Sequence, residues 1–334
     1  MAKTSYPSRY NSRGVWNINE ISKNLQTDKN FPRGHSRMCQ IGGQTPSYVD
    51  TISYITMETT GDAADFGDMT TATIEVSGVG SATRGIYAGG RDGSSPNINV
   101  IEYFTFMTTG NAADFGDLSV ARQRLTSHNN DTRGLFAGGT GGGSPGDVDT
   151  IDYVTIADTG NAADFGDLTG VIVSASAGGS STRAVIMGGY GPSPYGDVIE
   201  YTEMASTGNA ADFGDLTRGC RPTNNGTSNR IFAAVLGAEI SGGSDNIIDY
   251  ITIASTGNAV DFGDMLSAVY ASGCASNSTR GIAMGGYLPG TSSNVIQYIT
   301  WSSRGNAVDF GDDTAAHHRN GACSNSGGGL ASTA

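Results

Sequence analysis

The sequence predicts an all-β fold, a closed six-bladed β-propeller, on three observations. One eight-residue motif is written six times at a near-constant period, each period holds four strand-like segments, and the two ends of the array complement each other. The clearest copy of the motif is Gly110-Asn111-Ala112-Ala113-Asp114-Phe115-Gly116-Asp117. Its aromatic recurs as Phe66, Phe115, Phe165, Phe213, Phe262 and Phe310, at separations of 49, 50, 48, 49 and 48 residues. A fixed period of this size is the signature of a repeat architecture.

Composition agrees. Glycine accounts for 50 of 334 residues and charged side chains for only 15%, which disfavours helices and favours turn-dense β structure. A net charge of −13, with no basic stretch to offset it, speaks against a general nucleic-acid partner. The start, Met1-Ala2-Lys3-Thr4-Ser5-Tyr6-Pro7, has no apolar core of a signal peptide, and no run of about 18 apolar residues occurs. The expectation is a protein made in the cytoplasm and not inserted in a membrane.

Residues 1–36 stand outside the repeat and are expected to form an attachment arm. Ile18, Ile21 and Leu25 fall on one face of a short helix with Asn17 as its N-cap, next to Trp16, before Pro32-Arg33-Gly34 breaks it. The propeller is expected over 37–325. In the second unit the predicted strands are Ala72–Ser77, Arg84–Gly90, Val100–Phe106 and Ala112–Phe115, and Thr109-Gly110-Asn111 is a tight turn between the last two. The third strand repeats Ile-x-Tyr from Ile52/Tyr54 to Ile296/Tyr298, with another apolar residue three positions on. Both of its faces are therefore expected to be apolar, with Trp301 in the core.

Spacing separates a constant part of the unit from a varied one. Each Tyr is twelve residues before its Phe, and each Phe is eighteen residues before the next Arg, or seventeen before Arg230. Length varies almost entirely in the loop joining the second and third strands. Those loops also differ in chemistry, and they offer Tyr48, Arg91, Asp92, Tyr190, Tyr195, Glu239 and Tyr287 as candidate binding residues on one face. The Thr-Gly-Asn turns occupy the other.

The array closes on itself. Its first unit begins at a second strand, Arg37-Met38-Cys39-Gln40-Ile41, and residues 315–325 occupy the offset from Phe310 that a first strand would need. Blade 1 is thus shared between 37–69 and 315–325, leaving 326–334 as a tail and no exposed sheet edge.

The Gly-Gly after the second strand, the aromatic on the third and the pattern Phe115-Gly116-Asp117-Leu118 on the fourth resemble the kelch repeat, with Phe where Trp is usual. Residues 151–169 are similar to kelch-like repeats in virion-associated proteins of tailed phages, especially those of marine bacteria, and Ser12–Glu20 resembles a short element of such proteins. The resemblance implies a non-enzymatic virion protein, synthesised in the host cytoplasm and present in multiple copies. Trp16, Ile18, Ile21 and Leu25 would attach it to other virion proteins, and the varied loops would bind a host-surface glycan or protein. A purely architectural role in the virion is the second reading, and a polysaccharide-active enzyme the third. Blade five departs from the pattern where Val235-Leu236 replaces the Gly pair.

Paired carboxylates such as Asp114 and Asp117 invite a calcium reading. Six copies favour a structural role instead, each set bonding the neighbouring blade's backbone or the repeated arginine (Arg37, Arg84, Arg133, Arg183, Arg230, Arg280). The six Phe are expected between blades, each contributing about 1.5–3 kcal/mol by burial. Cys39, Cys220, Cys274 and Cys323 lack metal-ligand spacing and read as buried thiols. His35, His128, His317 and His318 are too scattered for a ligand set, and His317-His318 is expected on the closing strand. No cofactor, metal or catalytic residue is assigned.

Overall fold

The computed structural model describes residues 36–93, 97–142, 146–191 and 195–326. The predicted arm, with its helix and with Trp16, Ile18, Ile21 and Leu25, lies outside them. The described residues belong to one compact unit. It is an all-β, six-bladed propeller. Each blade is a four-stranded antiparallel sheet, its strands named a to d from the axis outward.

Blade 1 takes strand a from the far end of the chain. Gly321–Ser324 pairs with Arg37–Thr45, followed by Ser47–Thr56 and Ala64–Asp68. Blade 2 is Ser77–Gly80, Arg84–Ala88, Val100–Thr105 and Ala113–Asp117. Blade 3 is Thr126–Asn129, Arg133–Ala137, Thr150–Thr155 and Ala163–Asp167. Blade 4 is Ser176–Gly179, Arg183–Gly189, Gly196–Glu203 and Ala211–Cys220. Blade 5 is Gly226–Ser228, Phe232–Ile240, Gly243–Thr252 and Val260–Asp264. Blade 6 is Gly273–Ser276, Arg280–Met284, Thr291–Thr300 and Val308–His317.

The predicted clasp is present but shorter than 315–325. Only Gly321–Ser324 forms the closing strand, in register Cys39↔Cys323. Val308–His317 instead continues strand d of blade 6, and His317 pairs with Ser293, so His317 and His318 do not lie on the closing strand. The first strand of blade 2 is likewise displaced. Thr73–Ile74 pairs with Arg91–Asp92, and Glu75 then takes φ 60°, which breaks the run before Ser77–Gly80 begins.

The a strands are built from small residues because they meet each other around the axis. Each touches its two neighbours. A Cβ at Gly78 would stand 2.5 Å from the Ala322 carbonyl oxygen, so only glycine fits there. Side chains stitch the ring: Asn129 Nδ2 donates to the Gly80 carbonyl, Ser127 Oγ to Gly78, Thr227 Oγ1 to Ala275, and Ser324 Oγ to Ser276.

The repeated motif closes the outer rim. Gly110 and Ala112 of blade 2 donate backbone N–H groups to the carbonyls of Phe66 and Asp68 of blade 1, each at 2.8 Å, and Asn111 Oδ1 accepts from the Asp68 N–H. The pattern repeats at the other junctions, down to Asp62 of blade 1 accepting from the Asp312 N–H of blade 6. The motif's central glycine is required at these contacts. Gly166 has φ 146°, and a Cβ there would approach the Gly208 carbonyl oxygen to 2.5 Å.

Inside this rim the six Phe are buried, 2–5% exposed, and each stands edge-on to its own blade's Tyr, as Phe165 does to Tyr153 at 5.9 Å. Trp301 is in the core, as expected, and all four cysteines are buried free thiols.

The repeated arginine does not pair with the motif's aspartates. Arg37, Arg84, Arg133, Arg183 and Arg280 stack on their blade's Tyr at 4.3–4.8 Å. Each donates from Nη1 to a carbonyl at the end of the next blade's strand c, as Arg133 does to Met204 at 2.8 Å. Planar stacking plus a directed N–H is what a guanidinium offers and a carboxylate partner would not use fully. In blade 5 this place belongs to Phe232, which packs on Tyr250, while Arg304 stacks on the ring from the blade 6 turn. Counted from Phe232, Gly237 with φ 69° fills the first position of the Gly pair, so strand b of blade 5 runs as in the others. The one-residue discrepancy at Arg230 lies in the preceding linker, where both Thr223 and Asn224 have positive φ.

Candidate functional site

An up-and-down blade places its a–b and c–d turns on one face and its b–c loops and d–a linkers on the other. In blade 1 the a–b turn is replaced by the chain ends themselves. Asn325 N donates to the Arg37 carbonyl, and Arg37 N to Asn325 Oδ1, where blade 2 has a closed turn with Ser81 N on the Arg84 carbonyl. The propeller is therefore entered and left on the turn face. The varied face carries neither end.

On the varied face the linkers form a second tier around the axis. Each pairs briefly with the residues following strand b: Ile74 with Arg91, Gln123 with Thr140, Val173 with Tyr190, Arg221 with Glu239, Tyr270 with Tyr287, and His318 with Gln44. The next linker residue, or the second one after Arg221, turns into the left-handed region in every linker: Glu75, Arg124, Ser174, Thr223, Ala271 and Arg319, with φ between 52° and 60°. Non-glycine residues at such angles are strained, and six equivalent ones mean that the ring imposes them. Their backbones link around the axis. Arg124 N donates to Glu75, Ser174 to Arg124, Thr223 to Ser174, Arg319 to Ala271, and Glu75 to Arg319, at 2.8–3.2 Å.

Below this ring Asn224 crosses the axis. Its Nδ2 donates to the Val76 carbonyl, at 3.0 Å, on the diametrically opposite linker. The varied face thus has a floor at its centre.

Chemistry gathers on one side of that floor. The Glu75 carboxylate is 2% exposed, and its Oε1 lies 3.1 Å from Arg124 Nε and 3.5 Å from Arg319 Nε. Its Oε2 is buried without a hydrogen-bond partner among the described residues. Next to Arg319, Tyr287 stands edge-on to Tyr270 at 5.5 Å and tilts over the His318 ring at 5.0 Å. Arg221 Nε donates to Glu239 Oε2 at 3.0 Å. Burial, with Glu239 and Tyr287 nearby, raises the Tyr270 hydroxyl above its usual pKa against the opposing Arg319 and Arg221. Burial and then Arg319 lower His318. Both shifts favour the neutral form, a Tyr270 phenol and a His318 imidazole beside the guanidiniums.

Of the predicted binding residues, Glu239 and Tyr287 belong to this patch. Tyr48 and Arg91 form a separate pair, with Arg91 Nη2 donating to the Tyr48 hydroxyl at 2.7 Å and its guanidinium over the ring. Asp92 lies beside them on the two-residue strand with Arg91. Tyr190 is exposed on blade 4, and Tyr195 is half-buried in the same loop. Sequence reasoning missed Glu75, Arg124, Arg221, Tyr270 and Arg319. Glu75, Arg124, Ala271 and Arg319 each stand nine residues after the motif's Phe, so their variation at a fixed offset was the available signal.

It also missed a buried polar position. The middle residue of Ile-x-Tyr is Ser53, Glu102, Asp152, Glu200, Asp249 or Gln297, all 0–5% exposed, so strand c is not apolar on both faces. Each reaches the preceding blade's linker: Glu102 accepts from Thr70, Asp152 from Ser119, Glu200 from the Thr169 N–H, and Gln297 from the Leu266 N–H. Asp152 and Asp249 pair with Arg122 and Arg218 at 3.2 and 2.5 Å. At the closing junction the acid has moved to Asp313, which accepts from Ser53 and His317. Asp245 and Asp249, the carboxylate pair of blade 5, are both engaged by Arg218.

Two concavities, about 580 and 460 Å³, lie on the turn face around Asp131. Arg183 and Arg84 in them are committed to the interblade carbonyls, so the chemistry favours the opposite face. Among the described residues, no helix is long and apolar enough to cross a membrane, and no group of three or more His, Cys, Asp or Glu is placed to hold a metal ion. The repeated carboxylates Asp65, Asp114, Asp164, Asp212, Asp261 and Asp309 are exposed on the outer rim. No protein-family model matches the chain, and a search of curated proteins finds no relative.

Proposed function

We propose that the protein is a non-enzymatic recognition propeller of a phage particle, which binds a host-surface glycan through the varied face. The observation that carries this reading is the division of the two faces. Both ends of the propeller leave from the uniform turn face, whereas the chemically diverse residues gather on the opposite one. A domain tethered from one side and displaying a rigid, aromatic and charged patch on the other is arranged for recognition. Tyr270 and Tyr287 supply ring faces, while Glu239, Arg221 and His318 supply directional hydrogen bonds. Kelch-like character and the arm's resemblance to virion elements support the particle setting, and repeated copies there would add avidity.

The test uses the full chain, fluorescently labelled, on a panel of marine bacterial strains, with competition by polysaccharide released from the bound strain. Saturable binding that is competed by that polysaccharide and lost in Tyr270→Ala/Tyr287→Ala supports the reading. Absence of binding to any strain, with the varied face covered by another protein in assembled particles, would replace it with an architectural role.

A further inference from the structure

The patch has one feature that glycan binding in general does not require. Arg124 and Arg319 occupy equivalent strained positions on linkers that flank Glu75, and both turn Nε to the same carboxylate oxygen. Their terminal nitrogens have no acceptor among the described residues. Each side chain remains about one-third exposed, at 34% and 36%. Glu75, in contrast, is sealed beneath them. Two positive charges on one negative charge leave the centre of the varied face with a local excess of +1.

This excess stands in a protein of net charge −13, whose exposed carboxylates encircle the outer rim. The basic centre is thus a local exception. Glu75 holds the guanidiniums by one edge, so the free Nη groups are pre-oriented and lose little entropy when an acceptor arrives. Asn224 closes the axis below them, so an acceptor must come from the open side.

We propose that Arg124 and Arg319 form an anion site, and that the glycan bound at the varied face is acidic, its carboxylate or sulfate seated on the two guanidiniums with a sugar ring against Tyr270 and Tyr287. The proposal rests on the reading of this face as the recognition face. It adds the charge class of the ligand and the two residues that read it. Planar guanidinium groups suit such oxyanions, whose acceptor oxygens can take paired N–H donors. Neutral sugars offer hydroxyls that Tyr and Glu239 can meet, but they leave the Nη groups with water.

The experiment titrates the full-length chain with three probes: a hexasaccharide of alternating glucuronate and N-acetylglucosamine, its carboxyl-reduced neutral form, and a sulfated galactan hexasaccharide. Calorimetry gives affinity, and the arginine Nε–Hε signals in ¹H–¹⁵N spectra report the site. At least one acidic probe should bind saturably and shift the Arg124 and Arg319 signals. The uronate and sulfate arms distinguish the two anion sources. Affinity should fall about tenfold or more in Arg124→Gln/Arg319→Gln, as expected for loss of charge-assisted hydrogen bonds. It should also weaken steeply between about 50 and 500 mM salt.

Equal binding of the uronate probe and its carboxyl-reduced form, or an acidic probe that shifts neither arginine, would overturn the proposal, as would failure of both acidic probes to bind. The probe and salt comparisons need no variant, so they decide the matter even if the double substitution unfolds the ring. Whole-cell binding separates this proposal from the reading beneath it. A double variant that folds and binds cells like the wild type removes the anion site but leaves the recognition face.

Discussion

At the outer rim, each Phe-Gly-Asp segment receives the Gly-Asn-Ala segment of the next blade. At the axis, five of the six linkers donate a backbone N–H to a carbonyl of the linker before, and at the sixth the Ser272 N–H is taken by the Asn225 side chain. Both rings are built around the same sixfold repetition, yet the rim keeps nearly one sequence while the axis carries Glu, Arg, Ser, Thr, Ala and Arg. The rim uses side chains as structural parts. A buried Phe fills the gap between blades, a glycine stands where a Cβ would come within 2.5 Å of the neighbouring carbonyl oxygen, and an Asn amide caps a backbone N–H. The axial ring is joined mainly through backbone atoms, so the side chains at its six left-handed positions are free to differ. Chemistry accumulates where the fold asks least of the side chain.

This comparison is broken most strongly at the rim. Phe165→Ala should destabilise the chain by about 3–5 kcal/mol, the cost of emptying a fully buried aromatic site, measured by urea unfolding. Gly166→Ala should cost on the order of 2–4 kcal/mol, because the added methyl would meet the Gly208 backbone and the φ of 146° is strained for alanine. Asn209→Ala, which removes the cap on the Asp167 N–H, should cost about 0.5–1.5 kcal/mol. At the axis, Ala271→Gly should be neutral or slightly stabilising, since glycine relieves the φ of 56°, and its ring neighbour keeps its carbonyl bond. If Ala271→Gly lowered the melting temperature as much as Gly166→Ala, side chains would matter equally in the two rings.

The sequence was most legible where identity and geometry coincide. Phe66 through Phe310 recur because each fills the same gap, so period, blade number and end-to-end closure follow from counting them. It was least legible where a role is fixed by backbone geometry alone. Glu75 sits inside an apparently alternating stretch, and only the closed ring forces its φ positive and divides Thr73–Ile74 from Ser77–Gly80. Arg230 fell one residue short of the spacing, and an extra linker residue puts Phe232 into register on Tyr250 instead. Glu239 and Tyr287 were reachable because they lie at the end of strand b or just beyond it, where length and chemistry vary. Their partners Arg221 and Tyr270 lie in linkers of nearly constant length, which looked like scaffold.

The junction acids provide the finest comparison, between carboxyls that have a cationic partner and those that do not. Asp152 and Asp249 face Arg122 and Arg218, whereas Glu102 and Glu200 are buried against hydroxyls and backbone N–H groups. Burial raises the pKa of Glu102 and of Glu200, with Thr70 and Thr169 opposing it. The folded state then holds these protons more tightly than the unfolded state. Their contribution is most favourable at acidic pH and is lost as pH rises from the unfolded carboxyl range through the raised folded value. Glu200 Oε1 has no hydrogen-bond partner among the described residues, so Glu200→Gln places an amide where a charge is poorly solvated and keeps an acceptor for the Thr169 N–H. The variant should melt roughly a degree or two above the wild type at neutral pH, and the gap should close as pH falls below the carboxyl range. A gap that widened on acidification would mean that Glu200 is held ionised in the fold, and that an uncharged hydroxyl and amide setting can stabilise a junction carboxylate as well as Arg122 does.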